Sequence, residues 1–342
     1  MAFQFAPGES VNDGTRRLAL EQIGAAITHL RCAKGDRQEH IHASRKCMKR
    51  LRGLVRLVRG ELGDEVYRRE NACFREIAQG LSGLRDAEAL IEALDDLVIW
   101  LGPRSPKSRF AAIRRWLNKR RVTAYQKLEA DETRVEEAVA LLDEAEKRVS
   151  SWPLHGDGFT VMADGMRRVY GRGRKEFAEA LWRPATSAMH GWRKRVKYLW
   201  YHVQLLRDTW PQMMQVTQAE LDQLGDMLGK DHDLALLFEV VVEEFPRSGA
   251  SATVGALKKR IGERRAALQD ECFVSGRQLY AERPGAFVRR MQAYWMTWGE
   301  GHIYEVSGTG GVLQKSKDGR APVAGPADAA AGNGSSIATP LR

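Results

Sequence analysis

Two short runs of this chain hold positive side chains at spacings suited to gripping phosphate. Residues 42–59 read HASRKCMKRLRGLVRLVR, and residues 190–207 read HGWRKRVKYLWYHVQLLR. In the first run His42, Arg45, Lys49, Arg52, Arg56 and Arg59 step by three and four. On a helix they fall within an arc of roughly 100°. Lys46 and Arg50 flank that arc, and the run contains seven Lys or Arg and no Asp or Glu. A solvated helix normally mixes signs, because like charges three or four apart repel by about 0.2–0.5 kcal/mol. So pure a run is better tolerated when a polyanion neutralises it. Arg offers a planar fork to phosphate oxygens, and Lys offers a point charge. In the second run His190, Arg193, Lys197, Gln204 and Arg207 take the same register, with Lys194 beside them and Trp200 interrupting.

Further cations widen the candidate surface. Arg114 and Arg115 sit in a cluster that runs from Arg109 to Arg121, and Arg172, Arg174 and Lys175 precede the second run. Their alternative is simple solvation, the usual state of exposed Lys and Arg. His42 and His190 occupy equivalent places at the starts of their helices. They could donate to phosphate, although no second ligand stands nearby to make a metal site. Asp231-His232-Asp233 is similar to the His-Asp pair of metal-dependent phosphohydrolases, but the companion ligands are not at recognisable spacings. Its aspartate recurs as Asp86 in the first half, and the role expected of both is to pair with an interior Arg or Lys and orient it. No phosphate-cradling glycine loop, dinucleotide fingerprint or nucleophilic triad is visible. No cofactor and no catalytic residue is therefore assigned.

The elements that must position these residues are helical. From about residue 11 to residue 300 apolar residues recur at helical spacing, and alternating strand patterns are nearly absent. Gly or Pro punctuates the pattern at Gly35, Gly60 to Gly63, Gly102 to Pro106, Pro153 to Gly158, Pro184, Pro211 and Pro284. The stretch from Lys107 to Ser150 reads as one longer piece. Ile41, Met48, Leu51, Val55 and Val58 oppose the first basic arc. Met189, Trp192, Val196, Leu199, Val203 and Leu206 oppose the second. The two runs lie 148 residues apart and match at eight of 18 positions, where chance gives roughly one. Asp13 to Arg17 echoes Asp164 to Arg168, and Arg85 to Glu88 echoes Lys230 to Asp233, in the same order. The reading is an all-α fold, built by internal duplication. One helical bundle covers residues 10–150 and a second covers 157–300, related by a pseudo-two-fold axis. The Gly, Ala, Pro and Ser-rich tail 305–342 reads as disordered.

His42 to Arg52, of the form His-x-x-Arg-x-x-x-Lys-Arg-Leu-Arg, resembles the first signature of the CHAD domain, the conserved histidine α-helical domain. His190-x-x-Arg193-Lys194-x-x-Lys197-x-Leu199-x-Tyr201 resembles the second. Tyr170-Gly171-Arg172-Gly173-Arg174-Lys175 is similar to the segment preceding that signature, and Leu84-Arg85-Asp86 and Gly229-Lys230-Asp231 resemble the motif closing each repeat. The resemblance spans about residues 10–300. It implies two bundles around a basic central groove, binding of inorganic polyphosphate, association with polyphosphate granules in several members, and no settled catalysis. Many members also carry an all-β triphosphate-tunnel domain, and no such strand-rich segment is seen here. Where this chain has Trp200 the family often has Arg, which removes one expected phosphate contact.

Composition agrees with an acidic partner. The 342-residue chain carries a formal charge of +10, which favours phosphate polymers, nucleic acid or anionic membrane. No apolar run is long enough to span a bilayer, no signal peptide is visible, and the four cysteines have no zinc-like spacing. The expectation is a cytoplasmic, non-catalytic binder of inorganic polyphosphate, with no membrane partner. Nucleic-acid binding, with Tyr198, Trp200 and Tyr201 stacking on bases, and metal-dependent phosphohydrolysis are the alternatives.

Overall fold

A computed structural model of the chain describes residues 3–32, 34–81, 83–102, 107–129, 133–245 and 251–301, with the backbone alone described at 83–86, 107–108, 127–129, 251 and 300–301. The tail 305–342 lies outside the described residues, as do the side chains of Leu84, Arg85 and Asp86. Among the described residues there are eleven α-helices and no strand. They are α1 (Val11–Arg31), α2 (Arg37–Leu57), α3 (Arg59–Gly80), α4 (Gly83–Leu101), α5 (Ala111–Glu129), α6 (Thr133–Val149), α7 (Thr160–Trp182), α8 (Thr186–Leu205), α9 (Pro211–Glu244), α10 (Ser251–Leu279) and α11 (Pro284–Gly301).

Local chemistry sets many of these limits. Ser10 caps α1 by accepting from the Asp13 N–H, and Asp36 caps α2 by accepting from the Gln38 N–H. Pro211 opens α9, where its missing N–H costs nothing. Two expectations need correction. The stretch 107–150 opens as a 3-10 turn at 107–110 rather than as helix, with α5 and α6 following and residues 130–132 outside the described residues. The first basic run is not one helix either. The backbone breaks at Val58, so Arg59 opens α3 rather than closing α2. The helix kinks again at Gly63, whose φ of 71° lies in the left-handed region that glycine tolerates.

The opposed apolar faces are buried as their spacing predicts. Ile41, Met48, Leu51, Val55 and Val58 are buried on the first, and Met189, Trp192, Val196, Leu199, Val203 and Leu206 on the second. All described residues belong to one compact unit ending at Ile303. Helices from the two repeated segments pack directly on one another, α2 against α7 and α8, and α4 against α9. Gly165 of α7 lies so close to the end of α2 that a Cβ there would stand 2.0 Å from the Leu57 carbonyl oxygen. Gly53 of α2 meets Tyr201 of α8, and the neighbouring His202 Nε2 sits 3.1 Å from the Gly53 carbonyl. Positions 53 and 201 are equivalent in the repeat. The N-terminal segment ties into the second half, with the Phe5 N–H donating to the Leu205 carbonyl and Phe3 edge-on to Tyr201.

Candidate polyanion-binding site

The contact between α2 and α8 gathers the second turn-and-a-half of the first basic arc. Arg56 lies over Tyr198 of α8, its guanidinium carbon 4.0 Å from the ring centre, and over Tyr67 of α3 at 5.9 Å. It donates to the Arg52 carbonyl at 2.6 Å, and among the described residues it has no carboxylate partner. Burial pulls its pKa below the ordinary guanidinium value, while the tyrosines act in the other direction and Arg52 and Arg195 reinforce the fall. This is a correction to the open, wet stripe expected from spacing. At Arg56 the face is covered by aromatic rings from two other helices. Arg52 donates to Asn71 at 3.3 Å and also faces Tyr198. Arg59 stacks on Tyr67 and grips Asp64 through two nitrogens. Arg50 turns the other way, to Gln22 of α1 and over Phe3.

Nearer the start of α2, His42 and Lys49 are exposed and Arg45 is half-buried, with Lys46 exposed beside them. His42 and Arg45 line a cavity of about 300 Å³ together with Asp36, Glu39 and Glu88. Both signature histidines stand in the second turn of their helices, because α2 begins at Arg37 and α8 at Thr186.

In the second arc, Lys197 is held between Asp222 and Asp226 of α9, 3.2 Å from each, and lies over Trp200. Neighbouring acids therefore match part of the positive charge, which the sequence of the run itself does not reveal. Arg193 and Lys197 rest against two glycines of α9. A Cβ on Gly225 would come within 2.8 Å of the Lys197 Cε, and one on Gly229 within 3.3 Å of the Arg193 Nε. These glycines, one turn apart, make room for the two cations. Gly225 escaped notice in the sequence, where nothing but its spacing from Gly229 marked it. The Nε of Arg193 is buried without a hydrogen-bond partner among the described residues. Lys194 is exposed at the same level, while Arg207 lies beyond α8 in a short 3-10 turn.

His190 stacks on His232 of α9, ring centres 4.3 Å apart. Burial first, then His232, Lys194 and Arg193, pull its pKa down to about 4, so it is neutral at pH 7. His232 shares a hydrogen bond with Asp233. Asp231 is fully buried and receives Arg265 through two nitrogens, at 2.9 and 3.2 Å, and Gln269 at 2.8 Å. That is the orienting role expected of it, and it removes Asp231 from the metal-binding set of the phosphohydrolase alternative. Among the described residues no group of three or more His, Cys, Asp or Glu is placed to hold a metal ion. Tyr201 is buried in the core against Phe3 and Gly53, so it does not offer a face to a base.

The outer clusters fare differently. Arg114 of α5 is paired with Asp95 of α4 at 2.7 and 2.8 Å, and Arg115 is exposed. Arg172, Arg174 and Lys175 of α7 are exposed. None of the four cysteines is in a disulfide. No helix among the described residues is long and apolar enough to cross a membrane.

A family model described as the CHAD domain matches residues 17–241. Among solved structures, the crystal structure of the CHAD domain from the plant Ricinus communis is similar, with a TM-score of 0.52 at 16% sequence identity. The match covers 83% of this chain and 96% of that one. At that identity the likeness speaks for the fold alone. A search of curated proteins finds no match.

Proposed function

Because the chain belongs to the CHAD domain family, we propose that it binds inorganic polyphosphate without transforming it, along the cations of α2 and α8, and that it works in the cytoplasm on polyphosphate granules. One observation carries this reading. Two helices with the twinned His-x-x-Arg-Lys-x-x-Lys pattern meet at equivalent positions, and there Arg56, half-buried against tyrosine rings, has no carboxylate partner among the described residues. A cation partly withdrawn from water in such surroundings is costly unless an anion joins it. Arg52 stands on the same side, and Arg195 lies close enough to depress the Arg56 pKa further. A phosphate chain offers the closely spaced negative charges that such a group accepts, through short charge-assisted hydrogen bonds.

Polyphosphate needs no base readout, and with Tyr201 in the core the stacking partners for nucleic acid are reduced to Tyr198 and Trp200. A competition titration tests the choice. With labelled long-chain polyphosphate bound, unlabelled polyphosphate should displace it at far lower phosphate concentration than RNA does. Equal or better displacement by RNA would reverse the assignment.

A further inference from the structure

The acids of α4 fall in a single ridge. Glu88, Glu92 and Asp96 are four residues apart and so stack along one side of the helix. The ridge stands where the two basic segments approach each other. At one end Glu88 lines the small cavity that contains His42 and Arg45 of α2. At the other, Glu92 and Asp96 line a cavity of about 510 Å³ with Arg193 of α8, Lys230 of α9 and Arg264 of α10, and Asp226 and Asp233 of α9 line it as well. Asp96 approaches Lys230 to 3.8 Å, and Arg264 lies over Trp100 in the last turn of α4.

Resting on the polyanion-binding reading, we propose that this second cavity is an additional polyanion subsite formed by Arg193, Lys230 and Arg264, and that the α4 ridge occupies it as an internal competitor. Three features support it. The three cations come from three different helices and converge on one concave space. The Arg193 Nε packs at Gly229 and has no hydrogen-bond partner among the described residues, where Arg193 also forms no ion pair. The Asp96–Lys230 pair is more than half exposed at both ends, and such a pair is weak enough for a multivalent ligand to replace. A phosphate polymer reaching from His42 towards Arg193 would pass the ridge and meet its negative field. The ridge therefore sets a threshold: short or sparsely charged anions are rejected, and long, densely charged ones displace the carboxylates.

The test is a polyphosphate titration at low salt with the full chain and a Glu88→Gln, Glu92→Gln, Asp96→Asn variant. Removing three charges within a Debye length of the ligand should tighten binding about tenfold, and the gain should vanish at high salt. A matched variant, Glu136→Gln, Glu137→Gln, Glu146→Gln on α6, controls for net charge and should gain less than about twofold. Adding Lys230→Ala and Arg264→Ala should cost the ridge variant more affinity than it costs the wild type. If the wild type binds and the ridge variant gains no more than the α6 control, the ridge inference falls and the proposed function stands. If neither wild type nor ridge variant binds polyphosphate, both fall. Binding by the ridge variant alone supports the competitor.

Discussion

At the scale of single residues, Arg56 separates function from stability. Its guanidinium sits between tyrosine faces and is short of negative charge. Arg56 is half-buried, and replacing a poorly compensated, partly buried cation with an apolar side chain of similar length is often neutral or stabilising. Arg56→Met should therefore unfold at the same temperature as the wild type or higher, while polyphosphate binding weakens about tenfold, the loss of one charge-assisted contact. Thermal unfolding and a binding titration on the same sample check both halves. Lower stability with unchanged affinity would make Arg56 a packing residue. The sequence showed that this position was basic and periodic. It could not show the tyrosines above it, because Tyr67 and Tyr198 come from α3 and α8, and only tertiary packing brings them over α2. The same holds for Lys197, whose partners Asp222 and Asp226 lie on α9. Asp231 was more legible: an aspartate repeated in two motifs and buried in a basic protein calls for a cationic partner, and Arg265 supplies it.

At the scale of elements, the joint between α2 and α8 depends on an uncharged histidine. His202 is fully buried with its Nε2 against the Gly53 carbonyl, and burial pulls its pKa down to about 3, although that hydrogen bond opposes the fall. The folded pKa lies below the ordinary value, so the unfolded chain takes up the proton first as pH drops. Stability from this group is complete above about pH 6.5 and is lost progressively as pH falls towards 3. The full effect is on the order of 5 kcal/mol, at about 1.4 kcal/mol per pH unit. Denaturant unfolding between pH 7 and 5 should show the wild type losing stability faster than a His202→Gln variant, and parallel curves would contradict the assignment. Helix existence was readable here because the apolar periods are long and regular. Helix limits were not always so. The Gly60 to Gly63 cluster signalled a break, but α2 ends two residues earlier, at Val58, where the residue type itself gives no sign. The glycines that do matter for docking, Gly53 and Gly165, sit inside helices, where a sequence marks them only as small residues.

At the scale of the whole molecule, the claim is that both repeated segments serve one polymer. The duplication was visible in the sequence, and the packing of α2 on α8 and α7 puts the two copies side by side. The distribution of charge was less legible, because acids from α4 and α9 are interleaved with the basic arcs. A polymer held by both arcs gains from multivalency, whereas two independent patches would each bind weakly and additively. The measurement that bears on this most directly is the salt dependence of long-chain polyphosphate binding. It compares the wild type with Arg45→Ala, Lys49→Ala, with Arg193→Ala, Lys197→Ala, and with all four changes together. Each pair of changes should flatten the log affinity–log salt line by roughly 1.4, about 0.7 per lost phosphate contact. Each pair alone should also forfeit most of the affinity, leaving little for the fourfold variant to lose. Wild-type affinity and slope in the fourfold variant would contradict the account, and so would independent, additive losses from the two pairs.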